Sequence, residues 1–328
     1  MNATIDSHPW LQTPWHKLTQ QRDRMPHALL ISGQAGLGKN RLAIELAHWL
    51  LCTDSRGDEA CGHCKSCQLF NAGTHPDIKV VTQPEEGKAI SIDQIRELNR
   101  YLSLTPHTAS HKVVILTPAE EMTTAAANSL LKQLEEPPLG SMLLLVSHQP
   151  HRLPQTIRSR CSRVEIRPPK NAAALEWMTG FKVDQSDASA ALAAAGGAPL
   201  AALALAEQGF IDDRKSFLSD LIAIAEKSGN PIACAERWQQ HGSDTALNWF
   251  HGFLLDLLKA ELGANEAWGW SDPDTENEIK TTARRIPVRK AAELLQAVTE
   301  AIRLLSTPVD QRLLLEDILI RWDRATAQ

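Results

Sequence analysis

The sequence predicts an α/β fold in which a domain with a parallel sheet is followed by two smaller, all-helical domains. Three observations predict it. A glycine-rich loop at residues 33–40 lies between a strand and a helix, apolar runs alternate between strand and helix up to Ile166, and the alternation ends at Pro168 and Pro169. A chain of 328 residues suffices for two or three domains. The expected domains are 1–167, 168–208 and 209–328.

The glycine-rich loop has nearly the pattern of a phosphate-binding loop. Glycines allow backbone N–H groups to surround phosphates, and a lysine reaches the outer phosphates. The hydroxyl residue that should hold Mg²⁺ is replaced by Asn40, whose neutral amide is a poorer ligand. The alternative is a glycine-rich turn that binds nothing, so we expect weak binding of ATP or ADP at most. The candidate nucleotide-binding residues are Gly33, Gly36, Gly38, Lys39 and Asn40.

Apolar runs of strand length alternate with helical periods through the first domain, which is typical of a parallel sheet covered by helices on both faces. The predicted strands are Ala28–Ser32, Ile78–Thr82, Lys112–Leu116, Met142–Ser147 and Ser162–Ile166. The predicted helices between them are Arg41–Leu51, Ile92–Leu102 and Thr124–Leu134.

The rest of the chain has no convincing strand. Residues 172–208 are rich in alanine and predict a small helical domain with a turn at residues 196–199. Long apolar periods then predict a helical bundle, with a loop containing two tryptophans at residues 268–273. The predicted bundle helices are Leu247–Leu262, Val288–Leu305 and Gln311–Arg324.

Four cysteines directly follow the first helix with the spacing C-x8-C-x2-C-x2-C. Such a set supplies four thiolates to a tetrahedral Zn²⁺, and because all four positions are filled, the site is expected to be structural rather than catalytic. We therefore predict a zinc module inserted at residues 52–67. The candidate ligands are Cys52, Cys61, Cys64 and Cys67.

Other interpretations of the cysteines stay open at this stage. The four thiols could be free on a surface loop, and His63 and His75 are alternative ligands. Cys161 and Cys234 stand alone in the sequence and are expected to be small buried hydrophobic residues.

Charge and hydropathy exclude some classes of protein. The net charge of −5 creates no basic field that would recruit nucleic acid by itself. We find no apolar run of membrane-spanning length and no secretory leader. We therefore expect a soluble cytoplasmic protein with no membrane partner.

The carboxylates of a hydrolytic ATP site are missing from their usual place. In phosphate-loop ATPases, a strand like residues 112–116 ends in an Asp that holds the magnesium shell, and a Glu that activates water follows it. Here the two positions are Thr117 and Pro118. Glu120 and Glu121 follow, and we expect them to form a solvated helix start rather than to replace the missing base.

Two motifs carry a resemblance to a known family. They are residues 129–138, Ser-Leu-Leu-Lys-Gln-Leu-Glu-Glu-Pro-Pro, and residues 157–161, Ile-Arg-Ser-Arg-Cys. With the cysteine insertion and the degenerate loop, the chain resembles bacterial clamp-loader subunits of the AAA+ class, and among them the delta prime family of DNA polymerase III. The resemblance covers nearly the whole chain and implies an AAA+ domain, a helical lid and a helical collar.

The same resemblance implies partners. It implies a pentameric ring with one delta and three gamma or tau subunits, which opens the beta sliding clamp and places it on primed DNA. The chain would then be part of the DNA polymerase III holoenzyme, a DNA-directed DNA polymerase and nucleotidyltransferase, without an ATPase activity of its own.

The triplet Ser159, Arg160 and Cys161 carries the main functional expectation. The resemblance implies that Arg160 projects into the ATP site of a neighbouring subunit, where a guanidinium can bridge γ-phosphate oxygens. From composition alone, Arg160 would be an ordinary salt-bridge arginine. Arg158 and Arg163 are close enough to be confused with it, and either could contact a partner or DNA phosphate.

The lid also departs from active relatives. Leu200 stands where they carry an arginine that senses nucleotide. In the first domain, the polar residue at a strand end that positions water in active relatives corresponds to Ser147 or His148. We therefore predict a non-hydrolysing delta prime subunit. The alternatives are an active DNA-dependent motor subunit like gamma or tau, and a zinc-stabilised nucleic-acid-binding protein, which the mild acidity disfavours.

Overall fold

The computed structural model describes residues 5–85, 87–181, 183–207, 210–261, 279, 281–282, 286–305, 307 and 309–327. The chain divides into two compact units, Met1–Pro169 and Lys170–Gln328. The predicted division of the second part into a lid and a collar stays a prediction. The predicted tryptophan loop at residues 268–273 lies outside the described residues.

The first unit contains a five-stranded parallel sheet with the strand order β2-β3-β4-β1-β5. Strands β1 and β3 are buried along their whole length, because helices cover both faces of the sheet. The predicted α/β fold with a parallel sheet is therefore confirmed. The strands are β1 Ala28–Ser32, β2 Ile78–Val81, β3 Lys112–Leu116, β4 Ser141–Ser147 and β5 Ser162–Glu165.

Helices of the first unit follow the prediction closely where the apolar period is long. Helix α4 begins with a complete capping box between Ser91 and Gln94. Helices α1, α3 and α6 were not predicted, since α1 contains Pro14 and the other two have only 7 and 4 residues. The helices are α1 Pro9–Thr19, α2 Lys39–Leu51, α3 Lys65–Asn71, α4 Ile92–Leu102, α5 Thr124–Glu135 and α6 Gln155–Arg158.

The carboxyl edge of the sheet brings three segments together. Strand β4 lies between β1 and β3, and Ser32 at the end of β1 pairs with Ser147 at the end of β4. The glycine-rich loop, Thr117 and His148 directly follow these three strands, so all of them lie at one edge. Ligands of open α/β sheets bind at this edge.

The second unit is helical throughout its described residues. Its larger core is built around Trp238, Phe250 and Trp322, whose rings meet edge to face, and the Trp322 indole donates to the Leu221 carbonyl. No helix in the described part of the chain is long and apolar enough to cross a membrane. The helices are α7 Asn171–Thr179, α8 Gln185–Ala194, α9 Pro199–Glu207, α10 Phe210–Ala225, α11 Pro231–His241, α12 Ser243–Glu261, α13 Val288–Leu304 and α14 Gln311–Thr326.

Candidate functional site

The glycine-rich loop has the backbone shape that phosphate binding requires. Gly36 and Gly38 adopt left-handed conformations with φ of 76° and 79°, and α2 begins at the next residue, Lys39. A Cβ at Gly33 would clash with the carbonyl oxygen of Ile166, so this position requires glycine. The loop therefore presents the N-terminus of a helix at the carboxyl edge of the sheet, as anion sites do.

Lys39 is directed at its own loop. Its side chain is only 2% exposed, and its Nζ donates a hydrogen bond of 2.6 Å to the carbonyl oxygen of Gln34. Burial lowers the pKa of Lys39 to about 8, while the negative charge of Glu120 acts to raise it. The loop thus has its lysine in place, as a cation at pH 7 whose charge is lost as the pH rises through 8.

The two positions that would hold magnesium contact each other. The hydroxyl of Thr117 donates a hydrogen bond of 2.7 Å to the side-chain oxygen of Asn40. In an active site these positions carry a carboxylate and a hydroxyl, with the ion beside them. Here two neutral side chains form a hydrogen bond with each other. Position 117 therefore offers magnesium no negative charge, and position 40 offers it no hydroxyl.

Glu120 does not lie in a solvated helix start, so the expectation for it was wrong. Its side chain is buried, and its Oε1 accepts hydrogen bonds of 2.7 and 3.0 Å from the backbone N–H groups of His148 and Gln149. It therefore holds the segment after β4 against the segment after β3. Glu121 is half-buried and pairs with Arg152 at 2.7 Å.

Polar groups at the end of β4 lie beside this carboxylate. Ser147 is fully buried, and neither its hydroxyl nor Nδ1 of His148 has a hydrogen-bond partner among the described residues. Burial lowers the pKa of His148, and the charge of Lys39 lowers it further. His148 is therefore a neutral imidazole at neutral pH. A water-positioning role for either residue stays a prediction.

Arg160 lies in the short segment between α6 and β5, held by two contacts. Its Nη2 pairs with Glu135 of α5 at 2.7 Å, and its Nη1 donates to the carbonyl oxygen of Thr156 at 3.0 Å. The side chain is still 36% exposed. The structure thus places Arg160 on the outside of the first unit, in a salt bridge of the kind that composition alone suggested, with a partner, Glu135, that the sequence did not identify.

The neighbours of Arg160 differ in accessibility. Cys161 is buried as predicted, and burial raises the pKa of its thiol to about 11. Ser159 donates to the carbonyl oxygen of Thr156 at 3.2 Å, which closes the turn. Arg158 is half-buried, whereas Arg163 is exposed on β5.

The four cysteines meet at one point, with all sulfurs within 4.8 Å of one another. The sulfurs of Cys52 and Cys64 are 3.9 Å apart, as are those of Cys61 and Cys67. Zinc–sulfur bonds of about 2.3 Å in a tetrahedron require a sulfur–sulfur separation of about 3.8 Å. All four are free thiols, so the cluster has the geometry and the chemistry to hold a metal ion.

His75 supports the cysteine module but is not one of its ligands. Its Nδ1 accepts a hydrogen bond of 3.0 Å from the Asp77 N–H, and its Nε2 meets the Ser66 hydroxyl at 2.7 Å. That hydroxyl in turn donates to the Leu51 carbonyl at 2.6 Å. Both ring nitrogens of His75 are therefore engaged in hydrogen bonds and are not available to a metal ion. Ser66 lies between Cys64 and Cys67 in the sequence, so its contacts hold the cysteine module against the end of α2.

Comparison with known proteins decides the family. The family described as "DNA polymerase III, delta subunit" matches residues 13–170, and the one described as "DNA polymerase III, delta subunit, C terminal" matches residues 208–324. DNA polymerase III subunit delta' of Pseudomonas aeruginosa is 36% identical over 323 residues, which are 97% of each chain. This chain belongs to the DNA polymerase III delta prime family. The delta prime subunit of Escherichia coli K12 is 35% identical over 96% of this chain and 94% of its own.

The resemblance expected from the two motifs is therefore confirmed. The delta prime subunit of Bacillus subtilis is 40% identical over 148 residues, or 45% of this chain and 44% of its own. Among solved structures, a gamma subunit-related protein of Thermotoga maritima is 19% identical, with a TM-score of 0.45 over 95% of this chain and 99% of its own.

Proposed function

We propose that this delta prime chain is a non-hydrolysing subunit of the clamp loader and supplies Arg160 in trans to the ATP site of a neighbouring gamma or tau subunit. Its partners are the delta and gamma or tau subunits and, through the assembled ring, the beta sliding clamp and primed DNA. The observation that carries the proposal is the exposed guanidinium of Arg160, in a chain whose own glycine-rich loop lacks its magnesium ligands. Such a guanidinium stabilises negative charge that develops on a transferring phosphoryl group.

The alternative of an active motor subunit is disfavoured by the loop itself. Asn40 and Thr117 bond to each other, Pro118 cannot accept a proton, and Glu120 accepts hydrogen bonds from two backbone groups. We therefore expect the isolated, pure chain to show no ATP turnover under conditions in which a gamma or tau motor hydrolyses ATP. Turnover comparable to that of the motor would overturn the non-hydrolysing assignment.

Restoring the two missing magnesium ligands should increase the affinity of the loop for Mg·ATP, which tests whether their loss weakens nucleotide binding in this chain. The double substitution Asn40→Thr with Thr117→Asp replaces the neutral pair by a hydroxyl and a carboxylate. We expect it to tighten Mg·ATP binding by at least about tenfold, or 1.4 kcal/mol, without turnover, since no base stands at residue 118. Isothermal titration with and without Mg²⁺ measures this. Asn40→Ala with Thr117→Ala, which breaks the contact without adding ligands, should show no magnesium-dependent gain.

The charge of the loop should depend on pH near neutrality. Lys39 is a cation below its pKa of about 8 and neutral above it, so the affinity of the loop for phosphate should fall as pH rises through 8. Because the Glu120 carboxylate raises this pKa, Glu120→Gln should lower it further. NMR titration of the lysine side chains measures the pKa, with the Lys39 signal identified by its loss in Lys39→Arg. The matched control, Glu121→Gln, should leave the pKa unchanged.

Zinc is the metal we assign to the four-cysteine cluster. Soft thiolate ligands in a closed tetrahedron favour zinc among common divalent ions, and no ligand position remains for a substrate or water. The ion would hold α3 and the loop before it on the end of α2, a purely structural role. Cys52, Cys61, Cys64 and Cys67 are its proposed ligands.

Assembly of the ring is expected to use the helical second unit. Leu313 in the first turn of α14 is 61% exposed, so its apolar side chain is available to a partner subunit. We expect Leu313→Glu to weaken binding to gamma or tau by about tenfold or more while the chain stays folded. Size-exclusion chromatography with the partner subunits measures assembly. Gln311→Glu adds the same charge two residues away and should assemble normally.

A further inference from the structure

The four-cysteine module is open to solvent on one side. Cys52 and Cys67 are buried, whereas Cys61 and Cys64 are half-buried. A metal ion that enters or leaves the cluster must therefore pass the side on which Cys61 and Cys64 lie. Groups on this side that bind metal would meet the ion before the buried sulfurs do.

Two such groups lie beside Cys61. One oxygen of Asp54, the Cys61 sulfur and one ring nitrogen of His63 all lie within 4.8 Å of one another. Nε2 of His63 and Oδ2 of Asp54 are 3.9 Å apart. Tetrahedral zinc with bonds of about 2.1 Å to nitrogen and oxygen needs about 3.4 Å between them. Both side chains are more than half exposed, so they can close this gap without disturbing the core.

We propose that Asp54, Cys61 and His63 form a second, weaker site for a divalent metal ion, and that zinc enters and leaves the four-cysteine cluster through it. The Cys61 sulfur belongs to both ligand sets, so the ion can pass inward without losing contact with the protein. As each thiol binds the ion, its proton passes to water, and no oxidation or reduction takes place. The proposal rests on the four-cysteine zinc site proposed above.

The chain provides a matched control pair close to the same module. Nδ1 of His16 and Oδ2 of Asp58 are 2.9 Å apart, and both side chains are well exposed. Among the described residues, this pair is not part of a metal-ligating group that includes a cysteine. It therefore has the same two side-chain types but shares no sulfur with the cluster.

The experiment titrates the metal-free full-length chain with Co²⁺, whose absorption reports thiolate ligands and tetrahedral geometry. We expect one tight equivalent with the spectrum of four thiolates and a second, weaker equivalent with fewer sulfur ligands. Asp54→Ala with His63→Ala should lose the second equivalent and keep the first. His16→Ala with Asp58→Ala should keep both.

Exchange kinetics test the role in metal entry. Transfer of zinc from the loaded chain to a chromogenic chelator should be slower by about tenfold in Asp54→Ala with His63→Ala, since loss of outer partners at metal sites has effects of this size. The rate should be unchanged in the control pair. Circular dichroism checks that both double variants are folded.

The outcomes separate this inference from the zinc assignment on which it rests. A wild-type chain that binds one tight equivalent and no second, or an Asp54→Ala, His63→Ala variant that exchanges zinc as fast as wild type, would overturn the entry site and leave the zinc assignment standing. A wild-type chain that fails to bind even the first equivalent would overturn both.

Discussion

Replacing Arg160 by alanine should lower both the ATPase rate and clamp loading of the reconstituted ring, while the ring still assembles. An arginine finger contributes about a thousandfold or more at its own site, and hydrolysis at the other sites of the ring dilutes the loss in the bulk rate. We therefore expect a clear partial fall in the ATPase rate stimulated by clamp and DNA. Steady-state hydrolysis and a clamp-loading assay on primed DNA measure it.

The substitution Arg160→Ala should leave the chain folded, so a fall in the ATPase rate can be attributed to the lost guanidinium. The ion pair between Arg160 and Glu135 is 36% and 50% exposed, and pairs of this kind contribute about 0–1 kcal/mol to stability. Arg163→Ala is the matched control, because Arg163 is an exposed arginine three residues away. Arg160→Lys keeps the charge but loses the planar fork, so it should restore little of the rate. An equal loss in Arg163→Ala would contradict a specific role for Arg160.

Replacing Cys67 by alanine should abolish stoichiometric zinc and unfold the cysteine module. Cys67 is only 1% exposed, and its sulfur lies 3.9 Å from that of Cys61. Loss of an outer partner at a metal site costs about 10–100-fold in affinity, and loss of a direct ligand should cost more. Metal analysis of the purified chain and protection of α3 from hydrogen exchange measure the two effects.

The other cysteines provide the control for this prediction. Cys234 is also buried, but it lies on α11 in the second unit, apart from the four-cysteine cluster. Cys234→Ala should therefore keep one zinc per chain. Removal of zinc from the wild-type chain by a chelator should reproduce the behaviour of Cys67→Ala. Full zinc content in Cys67→Ala would contradict the four-thiolate site.

The parts of the fold that could be predicted are those with a repeating chemical pattern. Strands β1 and β3 were located to the residue, because both are buried throughout and appear in the sequence as unbroken apolar runs. The cysteine cluster was predicted from spacing alone, since ligands on tight turns must be close in sequence. Helix α1 was missed because Pro14 interrupts a short apolar period.

Contacts between distant segments could not be predicted from local pattern. Thr117 and Asn40 are 77 residues apart and meet only because β3, β4 and β1 are neighbours in the sheet. The sequence predicted a solvated Glu120 because its two hydrogen-bond donors are backbone N–H groups after β4. Every residue except proline has such a group, so the amino-acid sequence does not indicate this contact. The pairing of Arg160 with Glu135 likewise depends on how α5 and the segment before β5 pack.

The most direct test is single-turnover hydrolysis in a ring where only the ATP site facing this subunit can hydrolyse. Disabling the other sites removes the dilution that limits the bulk assay. With the wild-type chain, that site should turn over when clamp and primed DNA are present. With Arg160→Ala, the rate should fall by about a thousandfold or more while ATP stays bound. An unchanged rate at this isolated site would contradict the account, and Arg160 would then be a surface arginine paired with Glu135.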